Sequence, residues 1–210
     1  SKMINDSIQY DVIVNGAGIS GSTLAAVLAQ TGISVLLLDR RPTNFDNNEE
    51  PRRVSAINKA SENIFTNIRV WDEIASYNST YEFEQIKVWD HLGHGNISFG
   101  ADSVGLRNLG HIIANDDISK ALHRALKFMP GINCQFEQEI LAIDPAENGV
   151  SIVLKDGRTV LTKLLVGADG SNSAVRTLTE MPQSECSYKH TAIVANVEIK
   201  KNHNRCAYQC

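Results

Sequence analysis

The run YDVIVNGAGISGSTLAAVLAQTGISVLLLDRR, Tyr10 to Arg41, constrains the fold of this chain more than any other segment. Val12, Ile13 and Val14 form a β-branched run that Asn15-Gly16 breaks, which reads as a buried strand ending in a tight turn. Leu24, Val27 and Leu28 then recur at helical spacing until Thr31-Gly32 stops the helix. A second apolar run, Ile33 to Leu38, delivers Asp39. Strand, helix and strand in so short a space make a βαβ unit.

Gly16, Gly18 and Gly21 fit the pattern GxGxxG inside that unit. The first glycine permits the turn, the second lets backbone N–H groups approach a pyrophosphate, and the third lets helix and strand pack closely. The helix N-terminus adds partial positive charge where phosphates would lie. Asp39 stands roughly 20 residues on, where a carboxylate accepts hydrogen bonds from an adenosine ribose. An acid there disfavours a 2′-phosphate, so the loop suits FAD or NAD better than NADP.

The remaining sequence decides between those two. A nicotinamide dehydrogenase would continue with further βα units. Here the segment EPRRVSAINKASENIFTNIRVWDEI carries Ile57, Ile64 and Ile68 at helical spacing, with Arg52 and Arg53 at the expected helix entrance. Two arginines there either clamp a phosphate or form a solvated basic pair. EQIKVWDHLGHGNISFG reads as a short strand pair. NDDISKALHRALKFMPG reads as an amphipathic helix with Ile118, Leu122, Ala125, Leu126 and Met129 on one face, capped by Asn115 or Asp116 and stopped by Pro130-Gly131. Three antiparallel strands are expected next, around Gln135 to Ile143, Val150 to Lys155 and Thr159 to Leu165, joined by PAENG and DG turns. The last leads into LLVGADGSNSAVR, whose Asp169-Gly170 is by itself an ordinary turn signal. This is not dehydrogenase order.

Composition excludes several other classes. A formal net charge of -4 offers no basic stripe for nucleic acid. No apolar run approaches the roughly 20 residues of a membrane-spanning helix, and the polar start SKMINDSIQYD has no apolar signal region, so a cytoplasmic protein is expected. Cys134, Cys186, Cys206 and Cys210 show no CxxC pairing and read as reduced thiols. His91 and His94 lack further ligands at suitable spacing, so no metal site is expected, and the six histidines read as structural.

VIVNGAGISGSTLAAVLAQTGISVLLLDRR, RVSAINKASENIF, GHIIANDDISKAL, LLVGADGSNSAVR and the closing CAYQC together resemble, in order and spacing, the flavin-dependent aromatic hydroxylases of the p-hydroxybenzoate hydroxylase type. RVSAIN and GHIIAN are most similar to the ubiquinone-biosynthesis branch. The fold so implied is α/β: an FAD-binding Rossmann-like βαβ domain with an antiparallel three-stranded meander, plus the beginning of a mixed-sheet substrate domain. Residues 1–77 and 111–182 would form the two parts of the FAD-binding domain, 78–110 the first substrate-domain strands, and 183–210 the start of the main substrate sheet.

The resemblance implies that Gly16, Gly18 and Gly21 meet the FAD pyrophosphate, and that Asp39, with Arg40 beside it, lies at the adenosine ribose. It implies that Arg53 contacts a flavin phosphate, that Asn115 brings an amide near the ribityl and pyrophosphate, and that a backbone group of Ile140 meets the adenine. Asp169 and Gly170 match the family's DG motif, linked to FAD and to NAD(P)H use, with Arg176 on the following helix. Asn15 departs from the glycine or small residue common there, and Asp39 replaces the more frequent glutamate.

The activity implied is hydroxylation of the aromatic ring of a polyprenylated phenol in ubiquinone biosynthesis, with NAD(P)H as co-substrate, dioxygen as oxidant and a flavin C4a-hydroperoxide as the oxygen donor. No catalytic side chain is singled out, because the flavin carries the chemistry. Peripheral association with a membrane or a quinone-biosynthesis complex, and a homo-oligomer, fit that expectation. The same chemistry on a small soluble phenol, or a non-catalytic nucleotide-binding or assembly module, are the alternatives. HTAIVANVEIKK alternates Ile193, Ala195, Val197 and Ile199 as a half-buried strand would, and Cys210 falls inside what reads as a further strand. The family's second flavin motif is absent, so the sequence reads as an N-terminal half whose activity alone is doubtful.

Overall fold

The computed structural model describes residues 8–43 and 52–210. The polar start at residues 1–7, and Glu50-Pro51 ahead of the arginines, lie outside the described residues. In chain order the elements begin with β1 (Ile8–Asn15), α1 (Ile19–Gln30), β2 (Val35–Asp39), β3 (Val54–Asn58), α2 (Lys59–Asn67), α3 (Trp71–Ser76), β4 (Tyr81–Phe83), β5 (Gln85–Trp89) and β6 (Asn96–Gly100). They continue with β7 (Gly110–Ala114), α4 (Asn115–Leu126), β8 (Ile132–Phe136), β9 (Ile140–Ala146), β10 (Gly149–Leu154), β11 (Thr159–Gly167), α5 (Ala174–Leu178) and β12 (Cys206–Gln209). Two compact units result: residues 1–45 with 122–190, and residues 46–121 with 191–210.

The first unit is built on a six-stranded sheet in the order β8-β2-β1-β11-β10-β9. β8, β2, β1 and β11 run parallel, while β11, β10 and β9 form an antiparallel meander. Every residue of β2 is buried, as a strand flanked on both edges and covered on both faces must be. Ile13, Leu36, Leu38, Ile140, Ile152, Leu154, Val160 and Val175 form one apolar cluster across this sheet. The βαβ start and the meander agree with the α/β expectation.

One strand boundary differs from the sequence reading. Gln135 and Phe136 end β8, which pairs with β2, and do not begin the meander. Glu137 takes a positive φ of 57°, which turns the chain before β9 starts at Ile140. A non-glycine residue in that region is uncommon and leaves no compositional mark.

The second unit holds two three-stranded sheets, β3-β7-β4 and β12-β5-β6. The expected strand pair is present as β5 and β6, antiparallel with Ile86 opposite Phe99 and Val88 opposite Ile97. Arg52 and Arg53 do not stand at a helix entrance. Val54–Asn58 intervenes as a strand because it finds an antiparallel partner in β7, and α2 starts only at Lys59, where Asn58 Oδ1 caps the Ser61 amide. Residues 193–199 are exposed coil rather than the half-buried strand that their alternation suggested. Alternation selects a face, but a strand also needs a neighbour for its N–H and C=O groups, and among the described residues none pairs with this segment.

Among the described residues no helix is long and apolar enough to cross a membrane. All four cysteines are free thiols. His91 and His94 sit in the exposed turn between β5 and β6, and the described residues contain no group of three or more His, Cys, Asp or Glu that could hold a metal ion.

Candidate nucleotide site

The glycine loop joins β1 to α1, and each glycine has a different reason to be there. Gly16 has φ 110°, and a Cβ on it would fall 2.3 Å from the Ala168 carbonyl oxygen. A Cβ on Gly21 would fall 1.9 Å from the Gly16 carbonyl oxygen. Both are therefore glycines that the fold itself requires. Gly18 is not. Its φ of -69° suits any residue, and a Cβ there would meet nothing within 4 Å. It is also the N-cap of α1, where no side chain caps the helix. A glycine that neither backbone nor packing demands, at a helix N-terminus without a side-chain cap, leaves open space in front of the first amides of α1, where an anion would be favoured.

Asp39, at the end of β2, is buried and already engaged. Its Oδ2 accepts from the Ala17 amide at 2.8 Å, and its Oδ1 accepts from the Arg41 amide at 2.8 Å and from Arg41 Nε at 3.2 Å. Burial pushes this carboxyl up, but the hydrogen bonds from Arg41 and the Ala17 amide outweigh it and hold the group below its ordinary value. Arg41 Nη2 also donates to Oδ2, at 3.3 Å. The anion is thus secured at neutral pH with its roughly four acceptor sites engaged, and the exposed Arg41 side chain holds the ones that ribose hydroxyls would take over. Arg40 is exposed beside it.

Asp169 follows β11 on the same side of the loop. Its Oδ1 accepts from Ser173 Oγ at 2.6 Å, and its Oδ2 accepts from the Ala174 amide at 2.7 Å. The same Oδ2 accepts from Asn15 Nδ2 at 2.9 Å. The DG motif and the glycine loop are therefore tied by a direct hydrogen bond, and Asn15, which stood out in the sequence only as a departure, supplies it. Gly170 follows with φ 84° and open space around it. Ile140 opens β9 with its side chain in the apolar cluster.

The first unit thus gathers Gly16, Gly18, Gly21, Asp39, Arg40, Ile140, Asp169 and Gly170. The second unit brings Arg53 and Asn115 together. The Asn115 amide donates to the Arg53 carbonyl at 2.9 Å, and Ser55 Oγ donates to Asn115 Oδ1 at 2.6 Å. The two adjacent arginines have different surroundings: Arg52 pairs with Asp117 at 2.8 Å, whereas Arg53 is exposed.

A residue that the sequence left among structural histidines also belongs to this site. His123, on α4, is buried and places Nε2 2.7 Å from the Ala17 carbonyl oxygen. The sequence carries no signal for it, because Ser119, Lys120, Arg124 and Lys127 surround it at helical spacing and put it on the polar side of the helix.

A parallel sheet opening on GxGxxG, a buried acid at the end of the second strand, and a meander returning to a DG turn define a dinucleotide-binding fold of the flavoprotein kind. The chain belongs to the FAD binding domain family, whose model matches residues 9–207. It is 32% identical over 222 residues to the mitochondrial ubiquinone biosynthesis monooxygenase COQ6 of Xenopus tropicalis, covering 95% of this chain and 46% of that protein. It is 30% identical to the ubiquinone hydroxylase UbiL of Rhodospirillum rubrum, over 95% of this chain and 46% of that protein. Among solved structures, the Pseudomonas aeruginosa protein PqsL in complex with 2-aminobenzoylacetate superposes with a TM-score of 0.71 at 22% identity, over 86% of this chain and 48% of the other. Aklavinone-11 hydroxylase with FAD and aklavinone gives 0.64 at 24% identity, over 84% of this chain and 36% of the other. These likenesses establish a shared fold. The chain spans about half the length of the curated relatives it matches.

Proposed function

We propose that the protein carrying this chain is an FAD-dependent monooxygenase that hydroxylates the aromatic ring of a polyprenylated phenol in ubiquinone biosynthesis. The observation that supports the reading is Gly18, a glycine that neither its φ nor its packing calls for, in a chain of the FAD binding domain family whose relatives include COQ6 and UbiL. Bound FAD supplies the hydride and oxygen chemistry. The overall balance is phenol, dioxygen, NAD(P)H and a proton in, and hydroxylated phenol, water and NAD(P)⁺ out.

This chain's residues hold and orient. The amides at Gly18 and the start of α1 receive the pyrophosphate, and Gly16 and Gly21 keep the loop compact enough to do so. Asp39 accepts the adenosine ribose hydroxyls, with Arg40 at the rim. The backbone at Ile140 meets the adenine, and Arg53 and Asn115 take phosphate and ribityl contacts. Asp169 and Gly170, the DG motif, would contact FAD and take part in NAD(P)H use. Residues 1–77 and 111–182 are on this reading the FAD-holding parts, and 78–110 with 183–210 the substrate-facing parts.

The substrate assignment is tested with the whole protein, NAD(P)H and labelled dioxygen. One labelled oxygen per polyprenylphenol is expected, at a rate above that for hydroxybenzoate or salicylate. Faster turnover of the small phenols overturns the polyprenyl assignment. Asp169→Ala is expected to abolish hydroxylation, and unchanged turnover would favour an assembly module. A polyprenyl substrate places the enzyme at a membrane surface or in a quinone-biosynthesis complex, which flotation with vesicles and sedimentation test. The proposed compartment is the cytoplasm; the Xenopus relative is by name mitochondrial, and fractionation against a matrix marker decides.

A further inference from the structure

Ala17, between the first two glycines, is held at both ends of its backbone. Its amide donates to Asp39 Oδ2 at 2.8 Å. Its carbonyl accepts from Ser22 Oγ at 3.0 Å and meets His123 Nε2 at 2.7 Å. A carbonyl oxygen only accepts, so Nε2 carries the proton and the ring is the donor. Ser22 belongs to the helix that the loop itself opens, but His123 arrives from α4, 106 residues further along the chain.

The consequence of pinning that carbonyl lies in the next amide. In a trans peptide the C=O of Ala17 and the N–H of Gly18 point in opposite directions. Two donors hold the carbonyl inward, so the Gly18 N–H is directed away from His123. Gly18 is also the position whose Cβ would meet nothing within 4 Å. We propose that His123 is a positioning residue of the dinucleotide loop, fixing the Ala17–Gly18 peptide so that the Gly18 amide is aimed at the ligand's phosphate before binding. The proposal rests on reading the loop as the FAD site.

The surroundings suit that role. His123 is buried, and its ring lies against Phe136 of β8 with ring centroids 5.1 Å apart. The charged groups that face it are Asp39 and Arg41 from the end of β2 and Lys127 just past its own helix. A ring packed in this way has few alternative rotamers, so the donor is fixed in place without further ordering when ligand arrives.

The test uses three substitutions and two readouts. His123→Phe keeps an aromatic ring against Phe136 and removes the donor. His123→Met and His123→Gln share one length, and only the glutamine can donate. Calorimetric titration with ADP, the half of FAD that the loop would hold, should show affinity about tenfold lower for His123→Phe and His123→Met, with most of it restored in His123→Gln. The backbone 15N order parameter of Gly18 in ligand-free protein should be lower in the Phe and Met variants than in wild type or Gln.

ADP affinity and Gly18 order parameters equal to wild type in folded Phe and Met variants overturn the proposal. If the wild type takes up no ADP, the reading of the loop as a nucleotide site fails, while the Gly18 order parameter still decides whether His123 orders the peptide. If the Phe variant does not fold, the Met and Gln pair carries the comparison.

Discussion

Replacing Asn15 by aspartate turns a donor into an acceptor without changing shape, directly against Asp169 Oδ2 at 2.9 Å. Two unit charges about 4 Å apart repel by about 4 kcal/mol at the effective dielectric of roughly 20 that suits a partly buried pair. The pair escapes by binding one proton. Protonating a carboxyl of ordinary pKa near 3.9 costs about 4 kcal/mol at pH 7, so the penalty settles near that figure. The folded state then holds a proton that the unfolded chain lacks, so the lost stability returns as pH falls, at about 1.4 kcal/mol per unit. Asn15→Asp should therefore unfold about 4 kcal/mol more easily than wild type at pH 7 and within about 1.5 kcal/mol of it at pH 5. Asn15→Leu, which loses only one hydrogen bond to a charged group, should cost about 1.5–3 kcal/mol at both. Urea denaturation followed by far-UV circular dichroism measures this, and since both residues lie in the first unit, its transition is the one to move. An aspartate variant within 0.5 kcal/mol of wild type at pH 7, or a deficit that does not shrink by pH 5, would refute the link between the two motifs.

Gly21→Ala would place a Cβ 1.9 Å from the Gly16 carbonyl, a backbone atom that cannot step aside, and should cost about 3 kcal/mol or more, read as a lower melting temperature. Burial pushes the His123 imidazole below its ordinary value of 6.5, against the raising effect of the Ala17 carbonyl and Asp39. The folded state therefore binds fewer protons than the unfolded one, and this share of stability is complete above the unfolded value and lost as pH falls through it. His123→Gln should remove that component from the pH dependence of the melting temperature between pH 7.5 and 5.5. Burial raises the Cys134 thiol to about 11, and Cys206 is buried, whereas Cys186 and Cys210 are exposed. A thiol reagent at pH 8 should modify Cys186 and Cys210 at once, and Cys134 and Cys206 only on unfolding, as peptide mass mapping will show.

The parts of this fold legible in the sequence are those whose periodicity and punctuation agree. β1, α1 and β2 carry a β-branched run, an i, i+3, i+4 face and glycines at both turns, and β9 to β11 carry their hairpin residues. The β3–β7 pair was hidden because Val54–Asn58 is short and Ile57 also fits the helical spacing that follows, so only its partner 52 to 60 residues away makes it a strand. Residues 193–199 show the reverse case, a strand pattern without a neighbour to pair with among the described residues. At the site, Gly16 and Gly21 were visible because the tight loop admits no side chain there, and Gly18, Asp39 and Asp169 because they stand at fixed offsets within the motifs that those turns open. Asn15 and His123 act through contacts 154 and 106 residues distant in sequence, which no local pattern encodes.

The most direct test of the whole account is Gly18→Val, titrated calorimetrically with FAD beside the wild type. The substitution enters open space at an ordinary φ, so its cost to folding is the loss of a favoured N-cap residue, about 1 kcal/mol, while the side chain would fill the place assigned to the pyrophosphate. A melting temperature only a few degrees lower and FAD affinity at least tenfold weaker than wild type are expected. Equal affinity in the two proteins would mean that the loop does not hold the flavin's phosphates.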